Sequence, residues 1–166
     1  MADDNIAIIR KQEEALTFDR FDETEAFALG MALHRRASES GMPLVIEVRS
    51  WDRLLFFAAL PGSSSNNANW VRRKINVVKM FHKSSYRMTL EQDRPDGTLP
   101  PRYGLDPADY ALAGGGFPIK VAGVGIIGAV AVSGLPQRDD HELVVDALCE
   151  RLGRTHGELA LPVVGS

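Results

Sequence analysis

Ser133, Asp139 and His141 are the residue types of a nucleophile, an orienting acid and a general base, and they lie close together in the chain. Side chains of these three types form the catalytic triad of serine hydrolases. The nucleophile elbow of one large hydrolase class, G-x-S-x-G, is absent, because the local sequence is Ala131-Val132-Ser133-Gly134-Leu135. The sequence therefore does not favour a serine hydrolase. The aspartates at 139 and 140 are expected to cap the start of a helix.

The segment Gly123-Val124-Gly125-Ile126-Ile127-Gly128 reads G-x-G-x-x-G, the spacing found in dinucleotide-binding loops. Such a loop needs a strand before the glycines and a helix directly after them, so that the helix amides face the pyrophosphate. Here the following segment, "AVAVSG", alternates in the manner of a strand. We therefore predict a tight hairpin at residues 122–125, with Gly128 allowing a close backbone approach.

Gly114, Gly115 and Gly116 form a second glycine run at the entrance of a predicted strand. Glycine reaches positive φ without a Cβ penalty, so such a run can turn backbone amides towards an anion or a carbonyl. A flexible strand-entry turn explains the same residues equally well. Both interpretations stay open from the residues alone.

The histidine and tyrosine side chains are the residues that could bind a metal ion or a haem iron. The four histidines, at positions 34, 82, 141 and 156, have no zinc-site spacing, so no metal site is predicted. Haem needs an axial donor, and covalent attachment is excluded because C-x-x-C-H is absent. The axial candidates by residue chemistry are His82, Tyr86, Tyr103 and Tyr110.

The length, charge and composition of the chain exclude several classes of function. The chain has 166 residues, predicted to form a single domain over 1–166, and a net charge of −3, which provides no global attraction for nucleic acid. The basic cluster at residues 72–74 is interpreted as a solvated helix face. A single cysteine, Cys149, excludes a disulfide framework and is expected to pack as a small apolar side chain. No apolar run approaches ~20 residues, and the N-terminus is acidic, so we expect a cytoplasmic protein with no membrane partner.

Hydrophobic periodicity predicts an α/β (α+β) chain. An N-terminal helix is expected within residues 1–17, a second runs from Asp22 to Gly41, and a tail without clear period covers 153–166. Two apolar strands at 43–50 and 53–60 should pair as a hairpin, with the second strand central because it is apolar on both faces. The remaining predictions are a helix at 67–83, a long loop at 84–104, a short helix from Asp106-Pro107, strands at 117–121 and 126–133, and a helix from 139–140 to 152.

The segments 114–119 ("GGGFPI") and 133–141 ("SGLPQRDDH"), with "ALPG" at 59–62 and "SSYR" at 84–87, resemble the haem-degrading-domain or GlcG/HbpS-like family. The similarity runs from about residue 15 to residue 152, and it is greatest to an uncharacterised branch of that family. The resemblance implies a profilin-like fold, with a single antiparallel sheet of about five strands flanked by helices. It also implies homo-oligomers. The fifth strand would have to come from residues 84–104.

Three functions follow from the resemblance and from residue chemistry together. The first is an oligomeric small-ligand-binding protein, with haem or a related tetrapyrrole as a possible ligand. Its site would use Gly114, Gly115, Gly116 and Ser133, with Tyr103 or His82 by residue chemistry. The second is an enzyme acting on haem or on a small polar metabolite, with His141 as acid–base group beside Asp139. The third is a structural or adaptor oligomer.

Overall fold

This computed structural model describes residues 1–164 of the chain. They contain five strands and six helices. In chain order they are α1 (Ala2–Ala15), β1 (Thr17–Phe18), α2 (Glu23–Glu39), β2 (Val45–Ser50), β3 (Leu54–Ala59), α3 (Ser65–Phe81), α4 (Ser85–Gln92), β4 (Gly116–Val121), β5 (Gly125–Ser133), α5 (Gln137–Leu152) and α6 (His156–Leu159). A 3₁₀ turn at Pro101–Tyr103 lies between α4 and β4.

All five strands join one sheet in the order β1-β4-β5-β2-β3. The predicted α+β architecture is confirmed, but the sheet is mixed rather than antiparallel, because β1 runs parallel to β4. The fifth strand is the two-residue segment Thr17–Phe18, and the prediction that it comes from residues 84–104 is wrong. Two residues are too few to show a strand period, so this strand exists only through its pairing with β4.

Strand β3 is an edge strand, which corrects the prediction that it is central. Its hairpin with β2 forms as expected. Helix α2 packs on one face of this hairpin, whereas α3 packs on β5, β4 and β2. Leu54 and Phe57 are therefore half-exposed, although a strand that is apolar on both faces ordinarily lies inside a sheet.

The two helical layers follow from side-chain alternation along the strands. Ile46, Val48 and Phe117 face α2 and α5 in the main core, where Cys149 is also buried as expected. Val45, Ala129 and Ala131 face α3 on the opposite side. Asp22 caps α2 as predicted, since its carboxylate accepts a 3.0 Å hydrogen bond from the amide of Glu25.

The glycines of the G-x-G-x-x-G segment form a hairpin, as the sequence predicts. Residues 122–124 are the turn between β4 and β5. A Cβ atom on Gly128 would lie 2.0 Å from the carbonyl oxygen of Arg49 on the neighbouring strand, so only glycine fits at that position.

The stretch after α3 is more helical than the sequence suggests. Helix α4 occupies residues predicted as loop, and the Ser84 hydroxyl caps it by accepting from the amide of Arg87 at 3.2 Å. Conversely, the predicted helix from Asp106-Pro107 is a single turn, in which the Asp106 carboxylate accepts from the amide of Ala108 at 2.9 Å. Asp106 caps the turn as the sequence predicts, but no helix follows it.

Helix α1 and the segment around Leu161 pack against the rest of the molecule. Leu161, in the segment predicted as a tail, is buried with Ile9 of α1 and with Tyr86 of α4. Residues 165 and 166 of that predicted tail lie outside the described residues. Across residues 1–164, every helix is too short or too polar to cross a bilayer.

Candidate functional site

A polar cavity of about 290 Å³ opens where the end of β5 meets the first turns of α3 and α5. We call it the Lys74–Asp140 cavity after the ion pair in its wall. Its lining residues are Asn66, Asn67, Trp70, Lys74, Ala113, Ser133, Gly134, Leu135, Gln137 and Asp140.

Lys74 and Asp140 form a buried ion pair in this wall. The Lys74 ammonium donates to the Asp140 carboxylate and to the carbonyl oxygen of Val132, each at 3.0 Å. Only 3% of the Lys74 side chain and 2% of the Asp140 side chain are exposed. The interpretation of residues 72–74 as a solvated helix face is therefore wrong for Lys74, which lies on the inward side of α3.

Burial dominates the ionisation of both partners. It raises the pKa of Asp140 to about 6, against the opposing effect of the Lys74 charge and of backbone hydrogen bonds from Leu135 and Gly134. It also lowers the pKa of Lys74 below its ordinary value, although the Asp140 charge opposes the shift. Both pKa shifts have the same cause: loss of hydration destabilises the charged form of each side chain by more than the ion pair stabilises it.

Ser133 is a largely buried residue whose hydroxyl stays within reach of solvent. The residue is 5% exposed and lines the cavity at the last position of β5. Its hydroxyl makes no hydrogen bond within residues 1–164, and the buried side-chain atoms there that lack a partner, Arg73 Nε and His141 Nδ1, do not include it. The hydroxyl is thus free to bond a molecule inside the cavity.

The run Gly114–Gly116 lies directly behind the cavity. The Gly114 amide donates to the side-chain oxygen of Gln137 at 3.0 Å, and the Gly116 amide donates to the Ser85 hydroxyl at 2.9 Å. Gly115 has φ +133°, and a Cβ there would lie 2.9 Å from the Lys74 ammonium nitrogen. These glycines let the chain pass close to the ion pair, and two of their three amides bond side chains of the protein.

His141 lies in the core rather than in the cavity. It is fully buried, between the rings of Tyr86 and Phe117, and its Nε2 donates to Gln12 Oε1 at 2.7 Å. Its Nδ1 has no partner among the described residues. Burial, with a smaller effect of the Arg138 charge, lowers the pKa of His141 to about 3, so the folded protein holds a neutral imidazole.

The remaining sequence candidates are dispersed. Asp139 points away from Asp140 and lines a different surface depression with Met42 and His156. It does not cap α5, which begins earlier, at Gln137 after Pro136. Tyr103 packs its ring against Phe81 at 5.2 Å. Its hydroxyl accepts from the Gln92 side chain at 3.3 Å.

His82 ends α3 in the left-handed conformation, with φ 55°. Its side chain is exposed and lines a second cavity of about 240 Å³, which we call the His82 cavity. The other lining residues are Arg10, Glu13, Glu14, Arg87, Pro118, Lys120 and Ile126. Of the predicted ligand-binding residues, the structure thus brings Ser133 and the glycine run together and leaves Tyr103 and His82 apart from them.

Lys74, Asn67 and Gln137 are site residues that the sequence reasoning missed. One signal was available for Lys74, which stands at helical spacing between Val71 and Val78 on the apolar face of α3. A lysine on such a face needs a buried partner. The spacing of the residues does not show that this partner is Asp140.

The fold and the cavity define a class of protein: an α+β protein with a five-stranded mixed sheet and a polar cavity at the end of β5. Residues 21–149 match the family described as haem-degrading protein HbpS-like, and the chain belongs to this family. A UPF0303 protein of Mesorhizobium japonicum is 57% identical over 150 residues, which cover 90% of each chain. The resemblance stated from the sequence is therefore confirmed.

Two solved structures share the fold. The crystal structure of Ybr137w protein has a TM-score of 0.80 at 24% identity, covering 89% of this chain and 87% of that one. The crystal structure of a PduOC:heme complex has a TM-score of 0.66 at 15% identity, covering 78% of this chain and 93% of that one. At these identities the similarity shows the fold alone.

The buried neutral histidine gives a prediction about acid stability. As the pH falls below 6.5, the ordinary pKa of histidine, the unfolded chain takes up a proton at position 141 that the folded chain does not bind. This group alone lowers the stability by about 2 kcal/mol at pH 5. The burial that raises the pKa of Asp140 to about 6 acts in the opposite direction over the same range, equally in the wild type and in the variant. Urea unfolding at pH 5 to 7.5 should therefore show that stability falls towards low pH by about 2 kcal/mol more in the wild type than in His141→Gln.

His82→Gln is the matched control, because it removes an exposed histidine. It should keep the wild-type pH dependence. Equal pH dependence in the wild type and in His141→Gln would contradict the burial of a neutral imidazole at this position.

Proposed function

We propose that this protein binds a small polar ligand in the Lys74–Asp140 cavity. The observation that supports the proposal is the Ser133 hydroxyl, which belongs to a largely buried residue of the cavity lining and makes no hydrogen bond within residues 1–164. Solvent reaches this oxygen, since it is not among the fully buried side-chain atoms that lack a partner, so a ligand in the cavity can bond it in place of water.

The ion pair in the cavity wall supports the same proposal. Replacing a buried ion pair with well-packed apolar residues is often neutral or stabilising, so Lys74 and Asp140 are a poor choice for stability alone. Their position at a cavity that opens to solvent gives them a second use, because a ligand in that cavity meets fixed charges that water screens weakly.

A binding role is favoured over acid–base catalysis. The sequence-based candidate for the acid–base group, His141, is fully buried, lies outside the cavity lining and has a pKa far below neutrality. A general base must come within hydrogen-bond reach of the proton that it removes.

Filling the cavity should abolish binding. Thermal unfolding of the wild type should be screened against a panel of anionic, neutral and cationic small metabolites. A ligand present at about 100 times its Kd stabilises by about 2.7 kcal/mol, which raises the Tm by about 5–10 °C in a chain of this size. Ala113→Phe, at the cavity wall, should remove that shift.

Ala122→Phe places the same ring in the exposed β4–β5 turn and should leave the ligand-induced shift intact. A shift that persists in Ala113→Phe would move the binding site elsewhere. A panel that leaves the wild-type Tm unchanged throughout would contradict the binding role.

Haem binding is a second candidate function, and the family relationship favours it. The Lys74–Asp140 cavity does not fit haem, since its lining contains no His, Tyr, Cys or Met to hold the iron. The His82 cavity contains such a donor, although five of its eight lining residues are charged. His82 would supply the axial imidazole, Pro118 and Ile126 apolar contact, and Lys120 a cation for a propionate.

A haemin titration followed by absorbance tests this candidate. The wild type should give a saturable, stoichiometric Soret shift, and His82→Ala should lose it because the axial nitrogen is gone. Tyr103→Phe is the control, since Tyr103 does not line the His82 cavity. A weak, non-saturating shift that is equal in all three proteins would mean that haem is adsorbed without a defined site.

We further propose that the chain forms a homo-oligomer through the edge strand β3. Its sequence, "LLFFAA", contains no charge or proline, two of the features that ordinarily protect an exposed sheet edge from pairing. Its pairing with β2 has one register shift, between Val48 and Arg49. Phe27 and Met31 of α2 add exposed apolar surface beside it. A two-fold contact between two β3 strands would cover identical surfaces on both copies.

The assembly is testable by light scattering coupled to size exclusion. The wild type should elute as a multimer, and Phe57→Lys should lower the measured mass by placing a charge in the contact. Val124→Lys changes a still more exposed apolar residue, at the β4–β5 turn, and should keep the multimer. A wild type that is monomeric at all working concentrations would contradict the proposal.

A further inference from the structure

The side chains around the Lys74–Asp140 cavity have more free hydrogen-bond donors than free acceptors. Side-chain oxygens at its wall are already engaged by the protein. Asn67 Oδ1 accepts from the amide of Ser64 at 2.9 Å, and Gln137 Oε1 accepts from the amide of Gly114 at 3.0 Å. Because a backbone amide donates only to an oxygen, these two bonds fix which end of each side-chain amide remains free.

The free ends are all N–H or O–H groups. Asn67 and Gln137 keep their NH₂ groups, Trp70 keeps its indole N–H, and Ser133 keeps its hydroxyl. Lys74 uses two of its three N–H groups on Val132 and Asp140. Asn66, at the exposed rim, is the one lining amide whose orientation no such bond fixes.

The carboxylate of Asp140 does not reverse this balance. One of its oxygens accepts from the amide of Leu135 and the other from Lys74, both at 3.0 Å. Its charge is balanced by that of Lys74, so the pair contributes about zero net charge to the cavity. A monoanion with several acceptor oxygens suits such a site, whereas a phosphate dianion would place a second negative charge beside Asp140.

The dimensions agree with a small organic acid. A volume of about 290 Å³ lies near the lower end of the range for small-molecule sites, roughly 300–1,000 Å³. The indole of Trp70, whose ring also contacts the Arg73 guanidinium at 4.7 Å, supplies a flat apolar wall beside the donors. A carboxylate group with a short planar or aliphatic body would satisfy both halves of the cavity.

We infer that the ligand of the Lys74–Asp140 cavity is a small monocarboxylate, held by the Ser133 hydroxyl and by the free NH₂ groups of Asn67 and Gln137. This inference rests on the proposed binding role of the same cavity and specifies its ligand class. Ser133, Asn67 and Gln137 are then the residues that determine specificity.

Three probes of one shape test the ligand class by calorimetry: benzoate, benzamide and benzamidine, which are anionic, neutral and cationic. Benzoate should bind at least tenfold more tightly than benzamide, and benzamidine should not bind. Ser133→Ala should weaken benzoate about tenfold, because a hydrogen bond to a charged group is lost. Inorganic phosphate, as a fourth probe, should bind more weakly than benzoate.

The decisive variant is Gln137→Glu. A glutamate at 137 keeps an oxygen for the Gly114 amide but replaces the free NH₂ group with a negatively charged acceptor. It also suits the first turn of a helix, so folding should be preserved. Benzoate should lose at least tenfold in affinity and benzamidine should gain. Gln92→Glu adds the same charge on α4, away from the cavity lining, and should change neither affinity.

The outcomes separate the ligand class from the binding role. Tighter binding of benzamide, benzamidine or phosphate that Ala113→Phe abolishes would overturn the carboxylate assignment and leave the cavity as the site. Absence of benzoate binding at millimolar concentration would also overturn the assignment. The binding role itself fails only if the wider metabolite panel leaves the wild-type Tm unchanged as well.

Discussion

The buried pair of Lys74 and Asp140 is the interaction on which the functional end of the molecule depends. Lys74 comes from α3 on one face of the sheet and Asp140 from α5 on the other, and they meet just beyond the end of β5. Neither charge could remain buried without its partner. The pair therefore fixes how the two helical layers meet around the end of the sheet. Gly115 must be a glycine because its φ is +133° and a Cβ there would lie 2.6 Å from the carbonyl oxygen of Val132.

The first turn of α5 carries two inward polar side chains with separate tasks. Asp140 turns towards the cavity, and the next residue, His141, turns into the core. His141 bonds Gln12 of α1, whose side-chain nitrogen donates to the carbonyl of Leu159 at 2.8 Å. One helical turn thus connects the cavity wall, the N-terminal helix and the C-terminal segment. A change at Asp140 therefore affects the packing on both sides of this turn.

The proposed ligand site and the proposed assembly surface lie on different parts of the sheet. The cavity lies at the end of β5, whereas the edge strand is β3, and β2 lies between these two strands. The His82 cavity is separate again, at the end of α3 and against β4 and β5. The fold therefore offers three distinct surfaces, and each is tested by substitutions that leave the others intact.

The sequence by itself determined the features that arise from neighbouring residues. The helix cap at Asp22, the two hairpins and the rejection of a dinucleotide loop depend on local periodicity and on glycine geometry, which a short segment contains in full. Only the tertiary structure decided that β3 is an edge, that Thr17–Phe18 is the fifth strand, and that Lys74 finds a partner 66 residues away. Burial, pairing and the freedom of a donor are properties of contacts between distant segments, and no local pattern specifies which segments will meet.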